Sequence, residues 1–357
     1  MATKPQRKTS ACRRRAARAA LAALVALAVV AAGLGGLVVW QNTYDLREEA
    51  VTVRYGGRTL HAVLALPKRG KGPFPLVVVA HGDGPVDATH DGFYRPMWEA
   101  FARAGYASLS WNKPGVGGAP GDWLDQTMED RAQEAADAIA WARQRPDVDG
   151  RRIGLWGASQ AGWVLPKIAA KDGRIRFAIA VSPAVNWHRQ GRYNLIAELR
   201  RDGASDAEVA AALRRRETGL KLLGRGATYE EYVRAVGDPQ GMTAARWRFV
   251  SKNHTADAGA DLPALRGVPV LLVLAGHDVN VDTADTEAAY RRLLPAPSLR
   301  VTHYPDATHG LVRHDVERSS LRLTLTALCA PRALFAEGFL ADQRQFLSSL
   351  DTEGPRR

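Results

Sequence analysis

The chain has 357 residues, 46% of them hydrophobic and 24% charged, which supports a large buried core and excludes a disordered polymer. Its formal net charge is +12, but Lys4, Arg7, Lys8, Arg13, Arg14, Arg15 and Arg18 crowd the extreme N-terminus. The remaining excess is dispersed, with no basic stripe interleaved with aromatics, and this argues against nucleic acid as a partner.

The basic cluster leads into Ala16–Trp40, a run that is uncharged past Arg18 and long enough to cross a hydrocarbon core of about 30 Å. A basic flank followed by an apolar span predicts a transmembrane anchor over 19–40. The tail 1–18 then stays in the cytoplasm, Trp40 and Tyr44 lie at the far interface, and the downstream domain is exported. The competing reading is a cleavable signal peptide, whose apolar region normally runs about 7–15 residues. Ala26-Leu27-Ala28 mimics a cleavage site but lies inside the apolar run. Under the anchor reading Cys12 and Cys329 fall on opposite sides of the membrane, so no intradomain disulfide is expected. Nothing in the pattern sets an oligomeric state.

After a polar linker, 41–50, Val51–Tyr55 and Leu60–Leu66 flank Gly56-Gly57 as a hairpin, and Pro67–Pro75 forms a turn-rich connector. Short apolar runs then predict strands at Leu76–Ala80, Tyr106–Trp111, Ile153–Trp156, Phe177–Val181, Val268–Ala275 and Leu299–Tyr304. Helical patterns fall at Arg95–Arg103, Met128–Arg145 (with Thr127 as its cap), Gln160–Lys171, Thr283–Leu293 and Leu334–Leu350. This alternation predicts an α/β fold with a mostly parallel, doubly wound sheet. No convincing strand interrupts the interval between Val181 and Val268. There Ser205-Asp206-Ala207-Glu208 and Thr228-Tyr229-Glu230-Glu231 match capping boxes ahead of helical runs. The expected organisation is a core of 51–182 and 268–350 with a helical insertion at 183–267.

The stretch Gly157-Ala158-Ser159-Gln160-Ala161-Gly162 ends one strand and opens a helix. Ser159 reads either as a helix cap or as a nucleophile on a sharp turn. Small residues at 157 and 161 permit the tight approach, and Gly162 lets the helix pack on the sheet. A serine hydroxyl is a weak nucleophile and needs a base, an orienting acid and donors for the developing oxyanion. Two later strand ends supply candidates. Gly276-His277-Asp278 follows one, and Pro305-Asp306-Ala307-Thr308-His309-Gly310 follows the next. Asp278 is preferred over His277, Asp282 and Asp285, and Asp306 stands too close in sequence to His309 for the usual two-loop arrangement. His309 is preferred over His303, which sits within a predicted strand, and over His314, which lies beyond the loop. Ser110 and Ser182 end strands without an elbow and read as structural.

Backbone amides for the oxyanion are expected from Gln160, after the nucleophile, and from Asp83 in His81-Gly82-Asp83-Gly84-Pro85. His81 reads as a structural loop histidine. Asn112-Lys113-Pro114-Gly115-Val116-Gly117-Gly118 lacks the Gly-Lys-Ser/Thr ending of a phosphate loop and reads as a tight surface loop on the rim. No acid or histidine cluster has metal-ligand spacing and no dinucleotide fingerprint occurs, so neither metal nor cofactor is expected.

With these residues in place, the chain resembles the α/β-hydrolase superfamily, and more narrowly bacterial serine esterases and acyl-peptidase-like hydrolases with a helical cap. The resemblance rests on 81–85, 113–117 with 121–123, 157–163, 276–278 and 308–310, and it spans nearly all of 51–350. Such relatives often have Gly where Ala161 stands and an acid where Asn112 stands. The resemblance implies an α/β-hydrolase fold and hydrolysis of esters or related acyl bonds, with the insertion over the site. A small-molecule ester or acyl substrate is the expected partner, and carboxylesterase is the leading reading. Peptidase, thioesterase or acyltransferase chemistry on the same triad is the alternative, and a membrane-tethered binding protein that has lost catalysis is the more distant one.

Overall fold

The computed structural model describes residues 7–237 and 241–352. Residues 1–6 of the basic tail and 238–240 of the helical insertion therefore lie outside the described residues. The strands are β1 (Leu46–Tyr55), β2 (Arg58–Pro67), β3 (Phe74–Ala80), β4 (Ala107–Trp111), β5 (Val148–Ala158), β6 (Ala178–Val181), β7 (Val270–His277) and β8 (Leu299–Thr308). The helices are α1 (Arg7–Gln41), α2 (Arg95–Arg103), α3 (Met128–Ala142), α4 (Leu165–Lys171), α5 (Trp187–Arg201), α6 (Asp206–Gly224), α7 (Tyr229–Val236), α8 (Ala244–Asn253), α9 (Thr283–Leu293), α10 (His314–Glu317), α11 (Ser320–Cys329) and α12 (Phe339–Thr352).

The strands form one sheet in the order β1-β2-β4-β3-β5-β6-β7-β8. The β1–β2 hairpin runs antiparallel, β2 is antiparallel to β4, and every pairing from β4 to β8 is parallel. Strands β3 and β4 are buried along their whole length because helices cover both faces. One face packs against Ala132, Ala135 and Ile139 of α3, Leu165 and Ile168 of α4, and Tyr290 of α9. The other packs against Met97, Trp98 and Phe101 of α2 and Phe339, Phe346 and Leu347 of α12. The carboxyl ends of the parallel strands all open on one edge, where ligands of such sheets bind.

Helices α5 to α8 occupy the interval between β6 and β7. Helices α6 and α7 start with reciprocal capping boxes from Ser205 with Glu208 and Thr228 with Glu231. Thr127 and Asp130 form a third at α3. Within α1, Ala16–Gln41 contains an unburied 18-residue window with a mean hydropathy of 2.5 and is long and apolar enough to cross a membrane.

Several boundaries differ from expectation: β5 begins at Val148 rather than Ile153, β7 runs from Val270 to His277, β8 runs on to Thr308, α3 ends at Ala142, and three further differences change the kind of element. The segment 41–50 read as a linker contains the first half of β1, whose register with β2 begins at Leu46↔Pro67. Its alternation is masked by Glu48 and Glu49, which face outward and pair with Arg95 and Arg145. The helix expected over Gln160–Lys171 opens with a 3-10 turn, Ser159–Trp163, before α4 begins. The last helix starts at Phe339 rather than Leu334, because Pro331–Leu334 closes into a separate 3-10 turn.

Candidate active site

Strand β5 delivers Ser159 at its carboxyl end with φ of 56°, in the left-handed region. That conformation costs an L-residue roughly 1–2 kcal/mol and persists only where the surroundings impose it. Here the imposition is visible. A Cβ on Gly157 would stand 2.7 Å from the Ala161 Cβ, and one on Gly162 would stand 2.3 Å from the Ala184 carbonyl oxygen. The turn is thus pressed between its own helix and the chain following β6. The Ser159 carbonyl is held there by the Ala184 amide at 3.0 Å. Ala161 fits because its methyl fills the space that Gly157 leaves empty.

Strand β7 ends at His277, which sets Asp278 in the following loop with its side chain almost fully buried. Asp278 Oδ1 accepts the Asn280 and Val281 amides, each at 2.8 Å. Its Oδ2 lies 2.8 Å from His309 Nδ1, and Tyr193 Oη of α5 donates to its carbonyl at 2.7 Å. Both carboxylate oxygens are thereby engaged and the imidazole is oriented from one side. His309 follows β8 in a loop whose Leu311 is itself left-handed, with φ of 57°.

The rival residues are occupied elsewhere. His277 stacks on His314 with ring centroids 3.9 Å apart. Asp282 caps α9 through the Ala284 and Asp285 amides, Asp285 pairs with Arg189, and His303 pairs with Glu287. Ser182 is buried and, among the described residues, its hydroxyl has no hydrogen-bond partner. Ser110 is buried beneath His81.

The loop after β3 comes directly against the elbow. A methyl on Gly82 would sit 3.5 Å from Ser159 Cβ, and the next residue, Asp83, accepts from Gln160 Nε2 through its side chain. His81 is buried, and its Nε2 lies 2.6 Å from the Trp111 carbonyl, which can only accept. Nδ1 therefore accepts from Tyr94 Oη. Burial, reinforced by the Lys113 charge, holds His81 well below its ordinary pKa and neutral.

Beneath this loop lies a polar network that sequence reasoning missed. Lys113, expected on a surface loop, is instead buried, and Nζ donates to the Gly82 carbonyl at 2.6 Å and the Gly84 carbonyl at 2.8 Å. Burial and the neighbouring Arg131 charge pull its pKa down to about 6. Arg131 of α3 donates to Gln160 Oε1 at 2.5 Å and to the His81 carbonyl. Gln160 Nε2 in turn donates to Asp83 Oδ1 at 3.0 Å. From the insertion, Arg246 of α8 grips both Asp83 oxygens, at 3.0 and 2.6 Å. Burial alone would raise the Asp83 carboxyl, but the Arg246 hydrogen bonds and charge outweigh it and hold it below its ordinary value. The available signal was a lysine in a glycine-rich loop one strand away from the elbow. Among the described residues no group of three or more His, Cys, Asp or Glu side chains is gathered as for a metal ion.

Comparison with known proteins agrees with this architecture. A family model described as X-Pro dipeptidyl-peptidase (S15 family) matches residues 56–305. The thiohydrolase apmlB of Arthrinium phaeospermum is 27% identical over 263 residues, covering 68% of this chain and 82% of that protein. The thiohydrolase aneE of Aspergillus aculeatus is 30% identical over 119 residues, or 32% of this chain, and the match spans only 36% of its own length. Among solved structures, an esterase of Pyrococcus furiosus superposes with a TM-score of 0.55 at 14% identity, over 85% of this chain and 91% of that one, a likeness of fold. The chain belongs to the X-Pro dipeptidyl-peptidase (S15) family, serine hydrolases built on the α/β-hydrolase fold.

Proposed function

We propose that the protein hydrolyses carboxylic esters or related acyl bonds of small molecules, with Ser159 as nucleophile, His309 as base and Asp278 as orienting acid. The observation that carries this reading is the 2.8 Å contact of Asp278 Oδ2 with His309 Nδ1, made between the loops after β7 and β8, together with the left-handed φ of Ser159 at the carboxyl end of β5. With Nδ1–H donating to Asp278, the Nε2 lone pair is free to take the serine proton. Oγ then bonds to the acyl carbon, and the carbonyl oxygen gains a charge that the Gln160 and Asp83 amides stabilise. Collapse breaks the bond to the leaving group, which receives the proton from His309. Water attacks the acyl-enzyme by the same route and releases the acid and the free serine. No cofactor or metal enters this scheme.

With β1 beginning at Leu46, the catalytic core in this reading comprises residues 46–182 and 268–350, and the insertion 183–267 serves as a cap that Arg246 clasps to Asp83. The segment 19–40 anchors the protein, with 1–18 cytoplasmic and the catalytic domain on the far side of the membrane. Cleavage of the same segment as a signal peptide would instead secrete the domain, and the N-terminal sequence of the mature protein distinguishes the two. The family description favours a second reading, removal of X-Pro dipeptides. That reaction needs an anionic group for the substrate's α-ammonium, and Asp83, which lies beside the elbow, is already paired with Arg246. Ester hydrolysis is therefore preferred.

The test compares wild type with Ser159→Ala on p-nitrophenyl esters and on an Ala-Pro anilide. Expected results are ester turnover and fluorophosphonate labelling in the wild type and neither in the variant, with unchanged circular dichroism. Retained turnover in the variant overturns the triad, and anilide cleavage exceeding ester cleavage selects the peptidase reading.

A further inference from the structure

Helix α11 reads SLRLTLTALC and contains no buried residue. Leu321, Leu325 and Leu328 are 69%, 51% and 62% exposed. Their spacing of i, i+4 and i+7 aligns them as one stripe, while Leu323 leans on the core. A leucine stripe left in water marks a surface that something covers.

The position of the helix indicates what covers it. The Leu328 carbonyl accepts from Asn42 Nδ2 at 2.8 Å, immediately after the last residue of α1. Arg332, just beyond α11, donates to the carbonyls of Gln41 and Thr43, and its guanidinium lies 4.6 Å from the centre of the Tyr44 ring. The stripe therefore begins where the exposed apolar surface of α1, with Leu34, Leu37, Val39 and Trp40, comes to its end. The ends of the two apolar helices meet, and the junction between them is fixed by hydrogen bonds.

We infer that α11 is a second membrane contact, its leucine stripe sunk into the headgroup–acyl boundary of the leaflet from which α1 emerges. This inference rests on the reading of α1 as a membrane span. A short helix with an apolar stripe lies in the plane of such a boundary. Because α1 is clamped to the domain, the helix and stripe together set one orientation of the catalytic domain on the bilayer.

The experiment uses the full chain in vesicles of phosphatidylcholine and phosphatidylglycerol, with Cys12→Ser and Cys329→Ser as background. An environment-sensitive fluorophore is placed in turn at Leu325→Cys, at Leu27→Cys within α1, and at Arg214→Cys on the insertion; ester turnover checks that each variant is folded. The expected result is a blue-shifted label at 325 that loses most of its emission to lipids brominated near the headgroup, a quenched label at 27, and an unaffected label at 214. A quenched label at 27 with a water-like one at 325 overturns the inference and leaves the anchor standing. A blue-shifted label at 325 that bromolipid does not quench and that depends on protein density assigns the stripe to a second copy, and also overturns it. Failure of both 27 and 325 to be quenched removes the anchor reading, and the inference with it.

Discussion

Ala161 and Gly157 share a single void, so the departure from a glycine at 161 is absorbed rather than strained. A methyl at 157 would meet the Ala161 methyl at 2.7 Å and Leu165 at 3.0 Å. Gly157→Ala should therefore destabilise the fold by about 1–3 kcal/mol through overpacking and lower ester turnover by displacing Ser159. The double variant Gly157→Ala with Ala161→Gly should recover most of both losses, since Leu165 approaches with the mobile end of its side chain. Thermal unfolding and turnover of the three variants check this, and a double variant no better than the single one would refute the shared void. Asp278→Asn makes a second residue-level case. Its amide oxygen can still accept the Asn280 and Val281 amides, so folding should survive. Its NH2 group, however, would donate to His309 Nδ1 and move the imidazole proton to Nε2, the atom that accepts from serine in the proposed mechanism. Turnover should fall by about 10,000-fold with the unfolding midpoint nearly unchanged.

At the scale of elements, local signals were legible wherever periodicity or caps spoke without competition. Helices over Arg95–Arg103 and Thr283–Leu293 follow their patterns to the residue, and the capping boxes at Ser205 and Thr228 form as written. What escaped was set by tertiary context. Strand β1 begins inside an acidic segment because its charges find arginines from α2 and the loop after α3. Helix α11 escaped because its leucine stripe faces away from the core. The Lys113 loop looked like surface because lysine usually is, yet two inward-turned carbonyls accept from its Nζ. That burial has a measurable sign. Between about pH 6, where folded Lys113 releases its proton, and 10.5, its ordinary value, the unfolded chain binds the proton and the folded chain does not. Stability contributed at this site should rise with pH across that window and stay flat below it. The difference in unfolding free energy between wild type and Lys113→Met should therefore increase from pH 6 to pH 10. A difference independent of pH would mean that Lys113 stays charged in the fold.

At the scale of the whole molecule, the placement of Ser159, Asp278 and His309 after β5, β7 and β8 was readable because these strands run parallel, so the loops that follow them open on one edge of the sheet. How α1 meets the domain was not readable, since Gln41 to Thr43 carry no periodic signal of their own. The contact centres on Glu99 of α2, a nearly buried carboxylate that Arg332 engages at 2.6 and 2.9 Å and that also accepts from the Asp45 amide at 2.9 Å. Burial would raise the Glu99 carboxyl, but Arg332 and the Asp45 amide prevail and hold it below the usual glutamate range. A depressed carboxylate contributes stability above its ordinary pKa and loses it as pH falls through the folded value. Removing the guanidinium by Arg332→Ala leaves Glu99 with Arg103 and the Asp45 amide, and it frees the carbonyls of Gln41 and Thr43. The cost should be on the order of 2 kcal/mol near neutral pH, because one partner of a largely buried pair is lost. The deficit should shrink in acid, where Glu99 is protonated in both proteins. The variant should also open 41–45 to protease while hydrolysing a water-soluble ester at the wild-type rate, since the clamp lies on α2 and not at the strand ends that carry Ser159 and His309. Thermal unfolding from pH 3 to 8 with limited proteolysis in micelles measures both effects. Proteolysis unchanged by the substitution would show that α1 is held to the domain by something other than this clamp.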